Sequence, residues 1–255
     1  GAGGVRTEFD DIPATWPGAK QLNDLDAFII PDFVQTELGL NVDQIWQDLL
    51  ELPRVHVPKD QSGYPPIERN LGEARIVPGY HHALAQFRKG LVLPRHKVWF
   101  QDLSTSDGND DDFLHYSYTG WQYMIAPAQC NISAMPETTH ALFNGINERM
   151  PAGEKFNHGI FTLYADKEDF IDHHSDKISS FENGSWFLVI KLGNSRNFQF
   201  KDKSGKVLFD EELSAGTAIV VKSDTANVQT THGVLRGARE RGSIVLRQIK
   251  ARKTW

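Results

Sequence analysis

Residues 183–200 read Asn183-Gly184-Ser185-Trp186-Phe187-Leu188-Val189-Ile190-Lys191-Leu192-Gly193-Asn194-Ser195-Arg196-Asn197-Phe198-Gln199-Phe200, and this stretch decides the fold class. Asn183-Gly184 and Gly193-Asn194 are turn pairs, because glycine and asparagine accept the positive φ that tight turns require. Between them residues 186–192 have strand composition, and 197–200 follow as the next short strand. The same grammar continues outward, with half-buried strands expected at 159–164, 207–209, 217–221 and 243–249 and further turns at Ser204-Gly205 and Ala215-Gly216. Many short strands at near-regular spacing favour a jelly-roll barrel over a parallel sheet.

The first half of the chain has a different texture. Ala27-Phe28-Ile29-Ile30 is a strand-like run closed by Pro31-Asp32-Phe33. Val42, Ile45, Trp46, Leu49 and Leu50 fall at helical spacing within 41–52, with Asn41 or Asp43 as the cap. A second helix is expected over 136–150, with Pro136 in its first turn and Ala141, Leu142, Ile146 and Met150 facing inward. Residues 54–80 are rich in Pro, Gly and charge and read as irregular, and 101–112 as a polar loop. The expected architecture is α+β, mainly β: a double-stranded β-helix (jelly-roll) core with N-terminal buttressing helices. One domain is expected over 24–255, with 1–23 as a tail whose Gly1-Ala2-Gly3-Gly4 reads as an expression remnant.

The 255 residues carry a formal net charge of -6, which argues against a protein built to grip polyanions. Cys130 is the one cysteine, so no intrachain disulfide can form and thiolate metal sites are excluded. No apolar run reaches membrane-spanning length. A reducing, cytoplasmic setting is expected.

The chemistry concentrates in His174-Ser175-Asp176, followed about 56 positions later by His232 and then by Arg241 and Arg247. Two histidines and one carboxylate occupy one face of an octahedral Fe(II) and leave the opposite face for a chelating co-substrate and O2. His173 competes with His174, but strand alternation puts only His174 on the face of Asp176. The two arginines suit 2-oxoglutarate, which has a carboxylate at each end, since a guanidinium fork binds a carboxylate bidentately. Buried on a last strand, they would need a compensating anion. A His₂Asp zinc site is not dismissed by ligand type alone; the arginine pair tips the balance towards a dicarboxylate. The remaining histidines, His81-His82 among them, lack ligand spacing.

Taken together these stretches resemble the AlkB family of iron/2-oxoglutarate oxygenases, from about Asp24 to Ile249. The resemblance is carried by 27–33, by Pro94-Arg95 with Tyr116-Ser117-Tyr118-Thr119-Gly120, and by Phe156-Asn157. It continues through Tyr164-Ala165-Asp166, His174-Ser175-Asp176-Lys177, Leu192-Gly193, Arg196-Asn197-Phe198 and the Arg241 and Arg247 pair. It implies that His174, Asp176 and His232 hold Fe(II), that Arg241 meets the distal carboxylate of 2-oxoglutarate, that Arg247 lies near its C1 carboxylate, and that Tyr164 hydrogen-bonds it. It further implies oxidation of a substrate C–H bond by O2 with release of succinate and CO2. A carboxylate at 176 leaves no room for a halide, so hydroxylation is expected and not halogenation.

Three departures concern the substrate. Family members that repair nucleobases usually carry Asn two residues before the tyrosine, where this chain has Thr162, and an acid two residues after the iron aspartate, where it has Ile178. The lid segment carries Asp107, Asp110, Asp111 and Asp112, a like-charge cluster that repels phosphate unless it is a solvated turn remote from the substrate. Lys201, Lys203 and Lys206 form a basic hairpin that reads as a solvated edge or a phosphate contact. Tyr116, Tyr118 and Trp121 either stack on a flat substrate or pack in the core. A small-molecule substrate is therefore expected first, and oxidative demethylation of methylated nucleobases in DNA or RNA second, with nucleic acid disfavoured by charge.

Overall fold

The computed structural model describes residues 12–52, 54–55, 80–84, 92–102, 130–131, 135–164, 171–174, 181–234 and 240–249. In chain order the strands are β1 (Lys20–Gln21), β2 (Ala27–Ile30), β3 (Arg54–Val55), β4 (Tyr80–Leu84), β5 (Val92–Gln101), β6 (Cys130–Asn131) and β7 (His158–Tyr164). They continue as β8 (Ile171–His174), β9 (Trp186–Gly193), β10 (Arg196–Asp202), β11 (Val207–Leu213), β12 (Ala218–Lys222), β13 (Thr230–Val234) and β14 (Arg241–Arg247). The helices are α1 (Phe33–Thr36), α2 (Val42–Leu50) and α3 (Glu137–Asn147).

Two sheets form. The larger has the order β1-β2-β12-β9-β14-β7-β5-β4-β3 with β6 beside β5, and the smaller has the order β11-β10-β13-β8. From β7 onward the chain deals its strands to the two sheets in turn, β7, β9, β12 and β14 to the larger and β8, β10, β11 and β13 to the smaller. That pattern is a jelly roll, as expected, and the structure is mainly β. Strand pairing is antiparallel throughout these eight strands.

Period-two alternation splits the core in two. On β9 and β14 the side chains of Trp186, Leu188, Ile190 and Leu192, with Ile244 and Leu246, join one cluster with α1, α2 and α3 residues such as Phe33, Ile45, Leu142 and Ile146. The opposite parity, Phe187, Val189 and Val245, joins Tyr164, Ile219, Val221, Phe198 and Phe200 in a second cluster between the sheets. The helices therefore cover the outer face of the larger sheet, and the smaller sheet covers its inner face. This is why β9 is buried on both faces, where half-burial was expected.

Helix α2 begins where the capping rule places it, the Asn41 side chain accepting from Gln44 N at 3.1 Å. Helix α3 is shorter than expected, with Pro136 as its cap residue. It buries Thr139, Leu142, Phe143 and Ile146, and Met150 is buried just beyond it. Ala141 is exposed, which corrects the sequence reading. The inward stripe runs through 139, 142–143 and 146 at three- and four-residue steps, and 141 falls a third of a turn off it. Of the segments read as irregular or loop, 56–79 and 103–112 lie outside the described residues, while 54–55 form β3, residue 80 opens β4 and Gln101 ends β5; Val92–Gln101 is a ten-residue strand for which the sequence reading gave no element. No helix among the described residues is long and apolar enough to cross a membrane.

Candidate metal centre and its anion-facing strand

His232 lies in the middle of β13, and its Cα partner across the antiparallel pair is His174, the last residue of β8. Directly opposed residues of an antiparallel pair have Cβ atoms roughly 4.5–5.5 Å apart. On its other side His232 pairs with Phe200 of β10. Its ring stacks on Phe198 at 6.3 Å and 21° and lies 6.2 Å from both Phe187 and Phe200. The imidazole is thus turned into the space between the sheets, against aromatic walls that exclude water.

The ring is also oriented from behind. A π-helical turn, Thr225–Gln229, precedes β13. Such turns break the ordinary carbonyl ladder and recur at functional sites. Here the Thr225 carbonyl accepts from Thr230 Oγ1 at 2.8 Å, and the Ala226 carbonyl lies 3.4 Å from His232 Nδ1. With its proton on Nδ1, His232 donates to Ala226 and presents the Nε2 lone pair as a metal donor, the usual arrangement for a ligating histidine. The burial of His232, and the register that sets a second histidine opposite it, fit a divalent transition metal.

Arg241 and Arg247 have the same parity on β14 and face the inter-sheet space with Val245. Both are buried, at 0% and 5% exposure. Arg241 opposes Tyr164 of β7 and its Cζ lies 4.8 Å from the tyrosine ring centroid. Arg247 opposes His158, and its Cζ lies 5.2 Å from the Phe181 ring and 6.0 Å from Phe187. Phe187 also touches His232, so Arg247 stands at the histidine end of the barrel. Six residues of extended chain place Arg241 roughly 20 Å further along. The two guanidiniums and Tyr164 thus line one interior stripe that runs away from the histidine pair.

Asp176 lies outside the described residues, and so do Tyr116, Tyr118, Trp121, Ile178 and the aspartates at 107 and 110–112. Among the described residues no three His, Cys, Asp or Glu side chains gather as a metal site. The expected third ligand, Asp176, comes two residues after the end of β8 in the sequence. Among the described residues, two carboxyls depart from their ordinary acidity. Hydrogen bonds from Ser204 and Lys206 hold Asp202 low, and those from Gln199 and Asn197 hold Asp210 low. Both belong to the exposed β10–β11 hairpin and not to this site.

Sequence reasoning missed Lys191, buried on the inner face of β9. It also missed the Ala226 carbonyl, a backbone acceptor with no side-chain signature. The signal for Lys191 was available: one lysine inside an apolar run whose strand is covered on both faces cannot reach water.

No protein-family model matches the sequence, and no curated protein matches it. Solved structures similar to this one include the following two. OsALKBH1 aligns over 89% of this chain and 100% of its own, at 13% identity and a TM-score of 0.45. A prolyl-4-hydroxylase of Pseudomonas putida aligns over 95% of this chain and 98% of its own, at 17% identity and a TM-score of 0.42.

Proposed function

We propose that this protein is an Fe(II)- and 2-oxoglutarate-dependent oxygenase that hydroxylates a C–H bond of a small molecule, an amino acid derivative or biosynthetic intermediate. The observation that carries the reading is the register that sets His174 opposite His232, whose ring shares Phe187 with Arg247 on the interior stripe of Arg247, Tyr164 and Arg241. In the overall reaction 2-oxoglutarate, O2 and R–H give succinate, CO2 and R–OH, one oxygen atom going to succinate and the other to the product.

His174, Asp176 and His232 would hold Fe(II), which supplies O2 activation when bound. The chain's own residues then do three things. Arg247, at the histidine end, neutralises the C1 carboxylate of 2-oxoglutarate, while Arg241 takes the distal carboxylate in a bidentate grip. Tyr164 fixes the Arg241 fork through its ring face and offers a hydroxyl to the same carboxylate. Phe187, Phe198 and Phe200 keep the His232 ring dry, which strengthens each charge interaction there.

The net charge of -6 supports a small molecule over a polyanion as the substrate. Tyr116, Tyr118, Trp121 and Ile178 remain the candidates for meeting it. The test is anaerobic addition of Fe(II) and 2-oxoglutarate, followed by O2 and succinate assay with a metabolite pool or a methylated oligonucleotide. A visible metal-to-ligand charge-transfer band, lost in His174→Ala and perturbed by the metabolite pool, is expected. Perturbation by the oligonucleotide alone would reassign the substrate to nucleic acid. No band and no succinate from folded protein would overturn the oxygenase reading and favour zinc.

A further inference from the structure

Lys191 takes no part in the chemistry assigned so far, yet it is 1% exposed and sits on the inner face of β9, a strand buried on both faces. Its neighbours of the same parity, Phe187 and Val189, belong to the inter-sheet cluster, while Ile190 and Leu192 belong to the helix side. A lysine usually lets its long stem lie on apolar surface and its ammonium reach water. Here β12 and β14 flank it, and its backbone is closed in by Lys191 N donating to Thr217 O at 3.1 Å and Gly216 N donating to Lys191 O at 2.8 Å. The ammonium therefore remains within the inter-sheet space.

What surrounds it is ordered by register. On β14 its partner is Ser243, whose own partner on β7 is Thr162, and Thr217 lies on the opposite side. Thr217, Lys191, Ser243 and Thr162 are all buried and make a polar belt across the inner face. One step towards the histidine end the corresponding belt is Ile219, Val189, Val245 and Ile160, wholly apolar. One step the other way come Arg241 and Tyr164. Lys191 and Arg241 are diagonal neighbours across β9 and β14, roughly 7–8 Å apart at the backbone and within reach of each other's long side chains.

Two cations, Lys191 and Arg241, and four hydroxyl residues, Thr217, Ser243, Thr162 and Tyr164, thus gather at one end of the interior, separated from the histidine end by an apolar belt. We infer that Lys191 is a second cationic contact for the distal carboxylate of the co-substrate, acting with Arg241 to select a 2-oxo acid that is charged at both ends. The inference rests on the 2-oxoglutarate reading of the site. It adds a residue that recognises the end of the molecule remote from the metal, with Ser243 and Thr162 as the hydroxyls beside it.

The experiment compares the anaerobic, Fe(II)-loaded protein with Lys191→Met, Lys191→Gln and Lys191→Arg. Calorimetric binding is measured for 2-oxoglutarate and for 2-oxovalerate, which keeps the chelating end and lacks the distal carboxylate. Lys191→Met and Lys191→Gln should weaken 2-oxoglutarate roughly 10- to 150-fold, the range for one charge-assisted hydrogen bond. Binding of 2-oxovalerate should change by no more than about twofold, and Lys191→Arg should keep most of the affinity for the dicarboxylate. Equal loss for both ligands, or loss for neither, would overturn the inference. Lys191→Gln keeps a polar tip on a shorter stem and is the variant read should Lys191→Met unfold. If the unaltered protein binds no 2-oxoglutarate, the oxygenase reading fails instead. If it binds and Arg241→Met discriminates while the Lys191 variants do not, only the role of Lys191 falls.

Discussion

Replacing Arg241 by Met removes a charge and keeps an unbranched stem of similar reach. The guanidinium is fully buried and lies 4.8 Å from the Tyr164 ring centroid, so the substitution has two opposed effects on the empty protein. It loses a cation–π contact of about 0.5–2 kcal/mol, and it relieves the cost of a desolvated charge. The melting temperature should move by no more than a few degrees, since about 1 kcal/mol corresponds to roughly 2–4 °C in a chain of this size. Binding responds quite differently. Truncating one partner of a buried, hydrogen-bonded charge pair costs about 2–5 kcal/mol, or roughly 30- to 4,000-fold in affinity for 2-oxoglutarate. Arg241→Lys should fall between, because an ammonium keeps the charge and loses the fork and the stacking. Anaerobic calorimetric titration with 2-oxoglutarate, paired with thermal melts, reads both quantities. A dissociation constant within about threefold of the unaltered protein, at unchanged melting temperature, would refute Arg241 as the carboxylate partner.

Two further outcomes test the fold. A Cβ added at Gly159 would land on the Phe100 ring, with Cε2 at 2.6 Å, and that ring is wedged between Phe161 at 5.0 Å and Phe143 at 5.9 Å. Gly159→Ala should therefore cost about 1–3 kcal/mol, seen as a lowered melting temperature, and an unchanged one would mean the ring can swing aside. Asp202 accepts from Ser204 Oγ, Ser204 N and Lys206 N, which holds its carboxyl below the ordinary value of 3.8 in the folded state. A folded pKa that is depressed adds stability above the unfolded pKa and loses it as pH falls through the folded one. Asp202→Asn should thus be destabilising in urea melts near neutral pH and lose that difference at strongly acidic pH; an equal difference at both would contradict the linkage.

Strands such as β9 and β12 are legible in the sequence because apolar runs between glycine turns leave few alternatives. β13 is harder to see: Thr230-Thr231-His232-Gly233-Val234 is polar, and only its place between β8 and β10 makes it a strand. β5 is hidden by Arg95-His96-Lys97, since its stability comes from pairing with β7 and β4 and not from its composition. At the site, the order of His174, His232 and the arginines was readable, but their proximity is a matter of register. No local pattern says that residue 174 stands opposite 232. The π-helical turn that aims the Ala226 carbonyl at His232 depends on backbone hydrogen bonding that side-chain identity does not encode. Lys191 escaped notice because a lysine in a strand is ordinarily taken for a solvent-facing residue, and β9 has no solvent-facing side.

The opposition of His174 and His232 also bears on how the small sheet opens. β8 is its terminal strand, secured on one side by β13. Border strands of this kind lead local unfolding, with opening free energies well below the global value. An ion gripped by both imidazoles acts as a clasp across that seam, adding about 2.7 kcal/mol to its opening free energy at a hundredfold excess over the dissociation constant. Chelation then registers first as faster amide exchange along Ile171–His174, while the amides of β9 and β14 keep their protection. If these two residues hold a metal, the pair proposed to prepare O2 chemistry would also hem the barrel, and the metal content of a preparation would set how often that hem comes undone.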